Sequence, residues 1–495
     1  MFISSIVGLL KSILDAIMAV FQIFTNLVDY YLELKHMKEL IPLSQKYFEI
    51  IALFTREPFV KLYAKELEYY TDGGGLIGFI CLDLIDNNFS AGIMSRDNTM
   101  QYRAVKVGVD FPTIEDARKW IKNSFNEDGI TMHDNQSEYF NLFEELENDE
   151  QIHPHYKLLK ESDFFLSAKE TIKEISYHYK DIDGNFIEQF QSLNGLDSRV
   201  FELYLFCFFR EQSFSFKREH EAPDFLVNKF EDEIAVEAVT ISRKVENIKN
   251  ITNFQPKSTN EISSELEDNV PLMFGSVLYD KAKKKYWEKK HVQGYPFVIA
   301  VADFHDTMSM TWTYNSLLEY LYGYRYDNYK HSEEGELIIN PTKIDFFEKK
   351  NGTKIPAGFF LDKNNENISA VLFSSTATLS KFNRMGRQAG IGSNSSILVR
   401  NMMIYNHEPN ADKPNFVRYV VNEDSNETWS EGVTIYHNPN AIHPLDPNLF
   451  DETVAQCFFN VEDHLVRSVM PLVFPYASYT ENLKMQDTSQ KGKPI

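Results

Sequence analysis

Two short runs decide the fold: Pro223-Asp224-Phe225-Leu226-Val227 and, after the polar turn 228–233, Ile234-Ala235-Val236-Glu237-Ala238-Val239-Thr240. Each is an apolar, strand-like segment carrying a single carboxylate. Joined by so short a turn, they predict a hairpin. Burying an ionised carboxylate without a partner is costly, so two on neighbouring strands need an explanation. A shared cation is the economical one, because adjacent strands of a hairpin present Asp224 and Glu237 on one face. Hard oxygen ligands in a pair suit Mg²⁺, or Mn²⁺ in its place, which keeps several waters and grips a phosphate.

Working outward, residues 197–211 (DSRVFELYLFCFFRE) read as a strongly apolar helix with one inward-looking acid, Glu202. Downstream, residues 275–290 (GSVLYDKAKKKYWEKK) predict a basic helix bearing Lys281, Lys283, Lys284, Lys285, Lys289 and Lys290, with Tyr286 and Trp287 beside them. In an acidic chain, such a local basic and aromatic surface supplies what phosphate contact and base stacking require. Residues 295–302 follow as a continuous apolar run, the pattern of a strand covered on both faces.

This order resembles the PD-(D/E)xK, or restriction-endonuclease-like, nuclease superfamily. The resemblance rests on Glu202 on a helix, Pro223-Asp224 opening a strand, Glu237-Ala238-Val239 on the next, and a later helix. It implies an α/β (mixed α+β) multidomain protein whose restriction-endonuclease-like core has a central mixed sheet flanked by helices. Asp224 and Glu237 would then hold the metal, with Glu202 an auxiliary ligand or water orienter. The family's lysine falls on Val239, which cannot polarise a water or a phosphate. A displaced cation is therefore expected. Lys281 or Lys284 is the choice, and Lys244, just past the Glu237 strand, is a second candidate. Lys283 and Lys285, with Arg384 and Arg387 in the segment 382–388, are candidate nucleic-acid contacts. The implied activity is metal-dependent phosphodiester hydrolysis, an endonuclease with DNA as the substrate by analogy, and host (antiviral) defence is the implied setting.

The remaining chain divides into an N-terminal helical region (1–70), a small antiparallel β-rich module (71–135), an acidic linker with helices (136–180), the nuclease-like core (181–400) and a C-terminal region (401–495). A second helical stretch is expected over 32–67. The strands expected at 76–84, 90–94 and 102–109 are separated by turn chemistry, and a helix over 113–125 has Thr113 as its N-cap. The run Gly73-Gly74-Gly75 lacks the Gly-Lys-Ser/Thr ending of a phosphate loop. Residues 181–185 (DIDGN) lack the twelve-residue pattern of a calcium loop and read as a polar turn.

Residues 2–28 form the most apolar stretch. Its charges, Lys11 and Asp15, would fall near the middle of a spanning helix, where each costs roughly 2.5–3.5 kcal/mol. The wide apolar face predicts a helix covered by the chain itself, by copies of itself in a homo-oligomer or, less favoured, by a membrane surface. Across 495 residues the chain has 72 Asp plus Glu against 50 Lys plus Arg, a formal charge of -22, so no global field gathers a polyanion. Any nucleic-acid surface must be local. The three cysteines, Cys81, Cys207 and Cys457, are odd in number and far apart, which disfavours a disulfide framework and fits a reducing cytoplasm. No G-x-S-x-G elbow or helical HExxH pattern is present. Two alternatives to an active nuclease stay open: a catalytically inactive nucleic-acid- or protein-binding module of the same fold, and an assembly protein in which residues 2–28 carry the function.

Overall fold

The computed structural model describes residues 39–127, 139–144, 151–217, 219–244, 256–349, 351–392 and 396–484, with isolated positions elsewhere. The expectation for residues 2–28 lies outside them. The chain forms two compact units, residues 1–43 with 61–136, and 44–60 with 137–495.

In the smaller unit, β1 (Ile41–Pro42), β2 (Ala64–Thr71), β3 (Ile77–Asp83), β4 (Phe89–Arg96) and β5 (Tyr102–Phe111) form an antiparallel sheet in sequence order. Helix α1 (Ile114–Phe125) covers one face, burying Ala117, Ile121 and Phe125 against Ile80, Ala91 and Ile93. Thr113 caps it by accepting from the Asp116 N–H, as the sequence predicts. The glycine run is the β2–β3 turn. Asp72 Oδ1 accepts from the N–H groups of Gly74 and Leu76, and positive φ at Gly73 and Gly75 makes glycine necessary there. Over the described part of the helix expected at 32–67, residues 39–67, the chain instead forms β1, a short helix, Gln45–Ala52, and the start of β2. Tertiary pairing with β3 overrides local helical propensity in the segment AKELEYYT.

The larger unit is a mixed α/β structure. The elements that place its sheets and the site are, in chain order, α2 (Leu166–Ser176), α3 (Leu196–Glu211), β6 (Ser215–Phe216), β7 (Phe225–Lys229), β8 (Asp232–Ile241), α4 (Val270–Lys283), β9 (Phe297–Asp303), α5 (Tyr314–Tyr322), β10 (Ala370–Ser374) and α6 (Leu379–Gln388). They are followed by β11 (Ser396–Ile404), β12 (Asn415–Val420), β13 (Val433–His437), β14 (Ala455–Phe459), β15 (Val466–Val469) and β16 (Pro475–Lys484). An eight-stranded sheet has the order β15-β14-β13-β10-β9-β8-β7-β6, and β12-β11-β16 form a separate three-stranded sheet. Strands β8, β9 and β10 run parallel at the centre; the pairs β10–β13, β14–β15, β7–β8 and β6–β7 are antiparallel, and β13–β14 is parallel. The C-terminal strands β13 and β14 thus extend the same sheet as the 181–400 segment.

Helices cover both faces, and the pleat of the central strands sorts their side chains. Val236, Ala300 and Leu372 face Phe201, Leu205 and Phe208 of α3, while their neighbours Ala235, Ile299 and Val371 face Phe274 and Leu278 of α4 and Leu317 and Leu321 of α5. Burial on both faces explains why β9 reads as one apolar run. Cys81, Cys207 and Cys457 are buried free thiols. Among the described residues no helix is long and apolar enough to cross a membrane.

Candidate functional site

The site is built on the β7–β8 hairpin. A two-residue loop, Phe230-Glu231, joins Lys229 to Asp232 in place of the six-residue turn read from the sequence, and Phe230 takes a positive φ there. The described register ends with Phe225 opposite Val236. One further step places Asp224 opposite Glu237, so both carboxylates share one face of the sheet. Asp224 sits where β7 begins, and its Oδ2 accepts from the Ala238 N–H at 2.7 Å. The side chain thereby satisfies a strand N–H just past the end of the backbone ladder.

Glu237 lies in the middle of β8 and is 3% exposed. Its Oε1 accepts from Lys281 Nζ at 2.6 Å. Its Oε2 is buried and has no hydrogen-bond partner. Tyr286 also faces this group: burial first, then the charge of Glu237 and a side-chain hydrogen bond with it, push its phenol up. The Asp224 carboxyl is raised to about 8, by burial first and then by the negative charges of Glu237 and Glu202, against the opposing pull of Lys281 and the Ala238 N–H. Two acids and one ammonium therefore share a poorly solvated space, where ionising both acids leaves one negative charge that Lys281 does not balance.

Glu202 is buried on α3 and already partnered. Arg199 NH1 donates to both of its oxygens at 2.8 and 2.9 Å, and the Tyr179 hydroxyl donates to Oε2 at 3.0 Å. It acts on Asp224 through its field. That arrangement fits an anchoring or orienting role better than direct ligation.

Of the candidate cations, Lys281 alone among the described lysines is bonded to Glu237. The basic helix runs over Val270–Lys283 and stops short of Lys290, because Lys285 adopts a left-handed conformation and Tyr286 turns into the core. Lys284 is the C-cap residue just before that break, and among the described contacts it makes none with Glu237. Lys284 is exposed, with Nζ 5.8 Å from the Tyr286 ring centroid. Lys283 lies over the Tyr279 ring at 4.4 Å, and Lys285 pairs with Glu288 at 3.2 Å; both are exposed. Lys244 is exposed past the end of β8.

The two arginines are placed differently from the sequence expectation. Arg384 is 1% exposed and makes a bidentate pair with Glu427 at 2.7 and 2.8 Å, with Thr480 accepting from its third nitrogen. Arg400 and Lys381 complete the shell around Glu427. Burial opposes the charge of Glu427, but these cations hold it well below the usual carboxylate range. Arg387 is half-buried and donates to the Ser396 carbonyl and hydroxyl. Arg384 therefore knits α6 to the C-terminal strands and is no surface contact. An amphipathic basic segment after a strand does not distinguish an interior ion cluster from a nucleic-acid surface.

The sequence reading missed Tyr179 and Arg199, which hold Glu202, and placed Tyr286 on the basic surface, whereas it turns in toward Glu237. The signal of the first two was faint, since a Tyr and an Arg near an apolar helix are unremarkable until the fold brings them to Glu202. The residues 181–185 form a polar turn, with Asp181 accepting from the N–H groups of Gly184 and Phe186. Among the described residues no group of three or more His, Cys, Asp or Glu is disposed around a metal position. A two-carboxylate site remains compatible with Mg²⁺, which is commonly held by one or two carboxylates together with water and substrate phosphate. No protein-family profile, curated protein sequence or solved structure matches this chain.

Proposed function

We propose that this protein is a divalent-metal-dependent nuclease of the restriction-endonuclease-like type, hydrolysing phosphodiester bonds of DNA at Asp224, Glu237 and Lys281. One observation carries the reading. Glu237 is buried with one oxygen on Lys281 and the other without a partner, directly across the strand pair from Asp224. A buried carboxylate oxygen lacking a donor is expensive, and a cation between the two acids would relieve it.

The order of elements supports the same reading. Helix α3 is followed by the antiparallel β6, β7 and β8, then by the helix Thr259–Asp268 and α4, and then by β9 parallel to β8. That matches the helix, hairpin and post-motif helix implied by the superfamily resemblance. The cation missing at Val239 is supplied from α4.

Asp224 and Glu237 would hold Mg²⁺ or Mn²⁺, which when bound lowers the pKa of a water and neutralises charge on the phosphate. The chain's own groups have separable tasks. Lys281, fixed by Glu237, places a positive charge where charge builds on the phosphate. Arg199 and Tyr179 hold Glu202, whose field keeps the Asp224 region electronegative and receptive to a cation. The exposed Lys283, Lys284 and Lys285 give the end of α4 a basic rim for the nucleic-acid backbone. A host-defence setting follows from the resemblance alone, and assembly through residues 2–28 remains a separate proposal.

Plasmid cleavage with Mg²⁺, Mn²⁺ or chelator tests the assignment. Metal-dependent cleavage lost in Asp224→Ala, Glu237→Ala and Lys281→Ala supports it. Cleavage that persists in folded Asp224→Ala and Glu237→Ala proteins overturns it.

A further inference from the structure

Parallel strands in open α/β sheets leave a crevice outside their carboxyl ends, and ligands bind there. Strands β8, β9 and β10 are mutually parallel neighbours and end on one side at Ile241, Asp303 and Ser374. Beyond those ends is a 270 Å³ cavity whose lining includes Asp197, Arg243, Asp303, Ser380, Ser478 and Thr480. At roughly 30 Å³ per water, that is room for about nine waters. Glu237 pairs with Ile299 and Ile241 with Asp303, so the cavity is four residues farther along both strands than the acid pair, about 13 Å at ~3.3 Å per residue.

Two residues that line the cavity each leave one buried polar atom without a partner. Arg243 has a side chain that is 8% exposed; its NH1 bonds to Asp197 at 2.8 Å, but its Nε is buried with nothing to donate to. Asp303 is 1% exposed; its Oδ1 takes the His305 N–H and ring nitrogen, while its Oδ2 is buried without a donor. The first needs an acceptor and the second needs a donor. Such orphans are rare in native interiors and require a reason.

Other parts of the lining supply donors. Thr480 Oγ1 accepts from Arg384 and Ser478 Oγ from Arg400, which leaves each hydroxyl proton to point elsewhere. The first turn of α6 also opens here, and Thr378 at its N-cap makes no side-chain cap bond, so its leading N–H groups and dipole favour an anion. Leu158, Phe165, Val200 and Phe304 complete the lining with apolar surface.

We propose that this cavity binds a small molecule with an anionic group at one end and a hydroxyl or amine donor at the other. The anion lies against Arg243, Ser478, Thr480 and the start of α6, and the donor reaches Asp303. Nucleoside monophosphates and free amino acids both carry this pairing. The site is separate from the acid pair, so its fate does not depend on the nuclease reading.

Thermal-shift and calorimetric titrations of the full-length chain test it, with adenosine monophosphate, adenosine, inorganic phosphate and a set of free amino acids as probes. Saturable stabilisation by the nucleotide or by an amino acid is expected. Adenosine or phosphate alone should bind at least about tenfold more weakly than the nucleotide. Asp303→Asn, Arg243→Gln and the cavity-filling Ser380→Leu should each weaken binding at least about tenfold, and Ser380→Leu does so without disturbing an ion pair. Which probe binds identifies the source of the anion. No saturable binding of any probe overturns the proposal, as does binding unchanged in Ser380→Leu and Asp303→Asn.

Discussion

The Asp224→Asn substitution should make the protein more stable while abolishing its activity. Asp224 is raised from 3.8 to about 8 by burial, then by Glu237 and Glu202. At ~1.36 kcal/mol per unit, roughly four units set a ceiling of about 5 kcal/mol, and relaxation and water entry reduce the realised figure to on the order of 2 kcal/mol. The sign follows from proton binding. The folded chain holds a proton that the unfolded chain has released, so this group's stability contribution is complete below the unfolded value of 3.8 and is lost as pH rises toward 8. Asparagine retains an acceptor for the Ala238 N–H and does not ionise. Its advantage over wild type should therefore grow with pH across that window and level off above about 8. Denaturant unfolding with a chelator present, at a series of pH values, measures it. Excess Mg²⁺ should shrink the difference, because a site filled at 100 times its Kd stabilises wild type by about 2.7 kcal/mol. An Asp224→Asn protein that is equal to or less stable than wild type at every pH refutes the reasoning, since the carboxyl would then be paired and not strained.

Four further outcomes are expected. Lys281→Met leaves Glu237 buried without its counter-charge, so it should cost about 3 kcal/mol in denaturant unfolding and at least about 100-fold in cleavage rate; an unchanged rate removes Lys281 from the site. Glu202→Gln keeps acceptor and donor capacity toward Arg199 and Tyr179, so cleavage should fall by less than about tenfold, far less than in Glu237→Gln, as single-turnover rates would reveal. Arg384→Ala breaks a buried ion cluster and should destabilise by about 3 kcal/mol with no change in DNA affinity. The double substitution Lys283→Gln and Lys285→Gln should instead leave stability within about 0.5 kcal/mol and flatten the salt dependence of DNA binding by about two counterions.

What was legible in the sequence was the part governed by local chemistry. Apolar runs each broken by one acid gave β7 and β8, and the unbroken run before Asp303 gave β9, because strand burial writes itself directly into composition. The register followed, since a hairpin leaves little freedom in which residues oppose. Lys281 was singled out over its neighbours only in part: Lys284 looked equal on a continuous helix, and the left-handed Lys285 that ends the helix carries no glycine or proline to announce it. Arg384 was misread because charge patterning cannot show that Glu427, more than forty residues away, arrives beside it. The strand-end cavity was missed for a related reason. Asp197, Arg243, Asp303 and Thr480 come from four distant segments, although an acid closing a buried parallel strand, with His305 two residues on, was a signal available before the fold was known.

The central claim is that Asp224 and Glu237 form one cation site. An anomalous difference map from crystals soaked in Mn²⁺ tests it most directly. The account predicts a peak between the two carboxylates, in contact with Glu237 Oε2 and lost in Asp224→Asn crystals. A map with no peak there, in crystals of a protein that cleaves DNA with Mn²⁺, would contradict it.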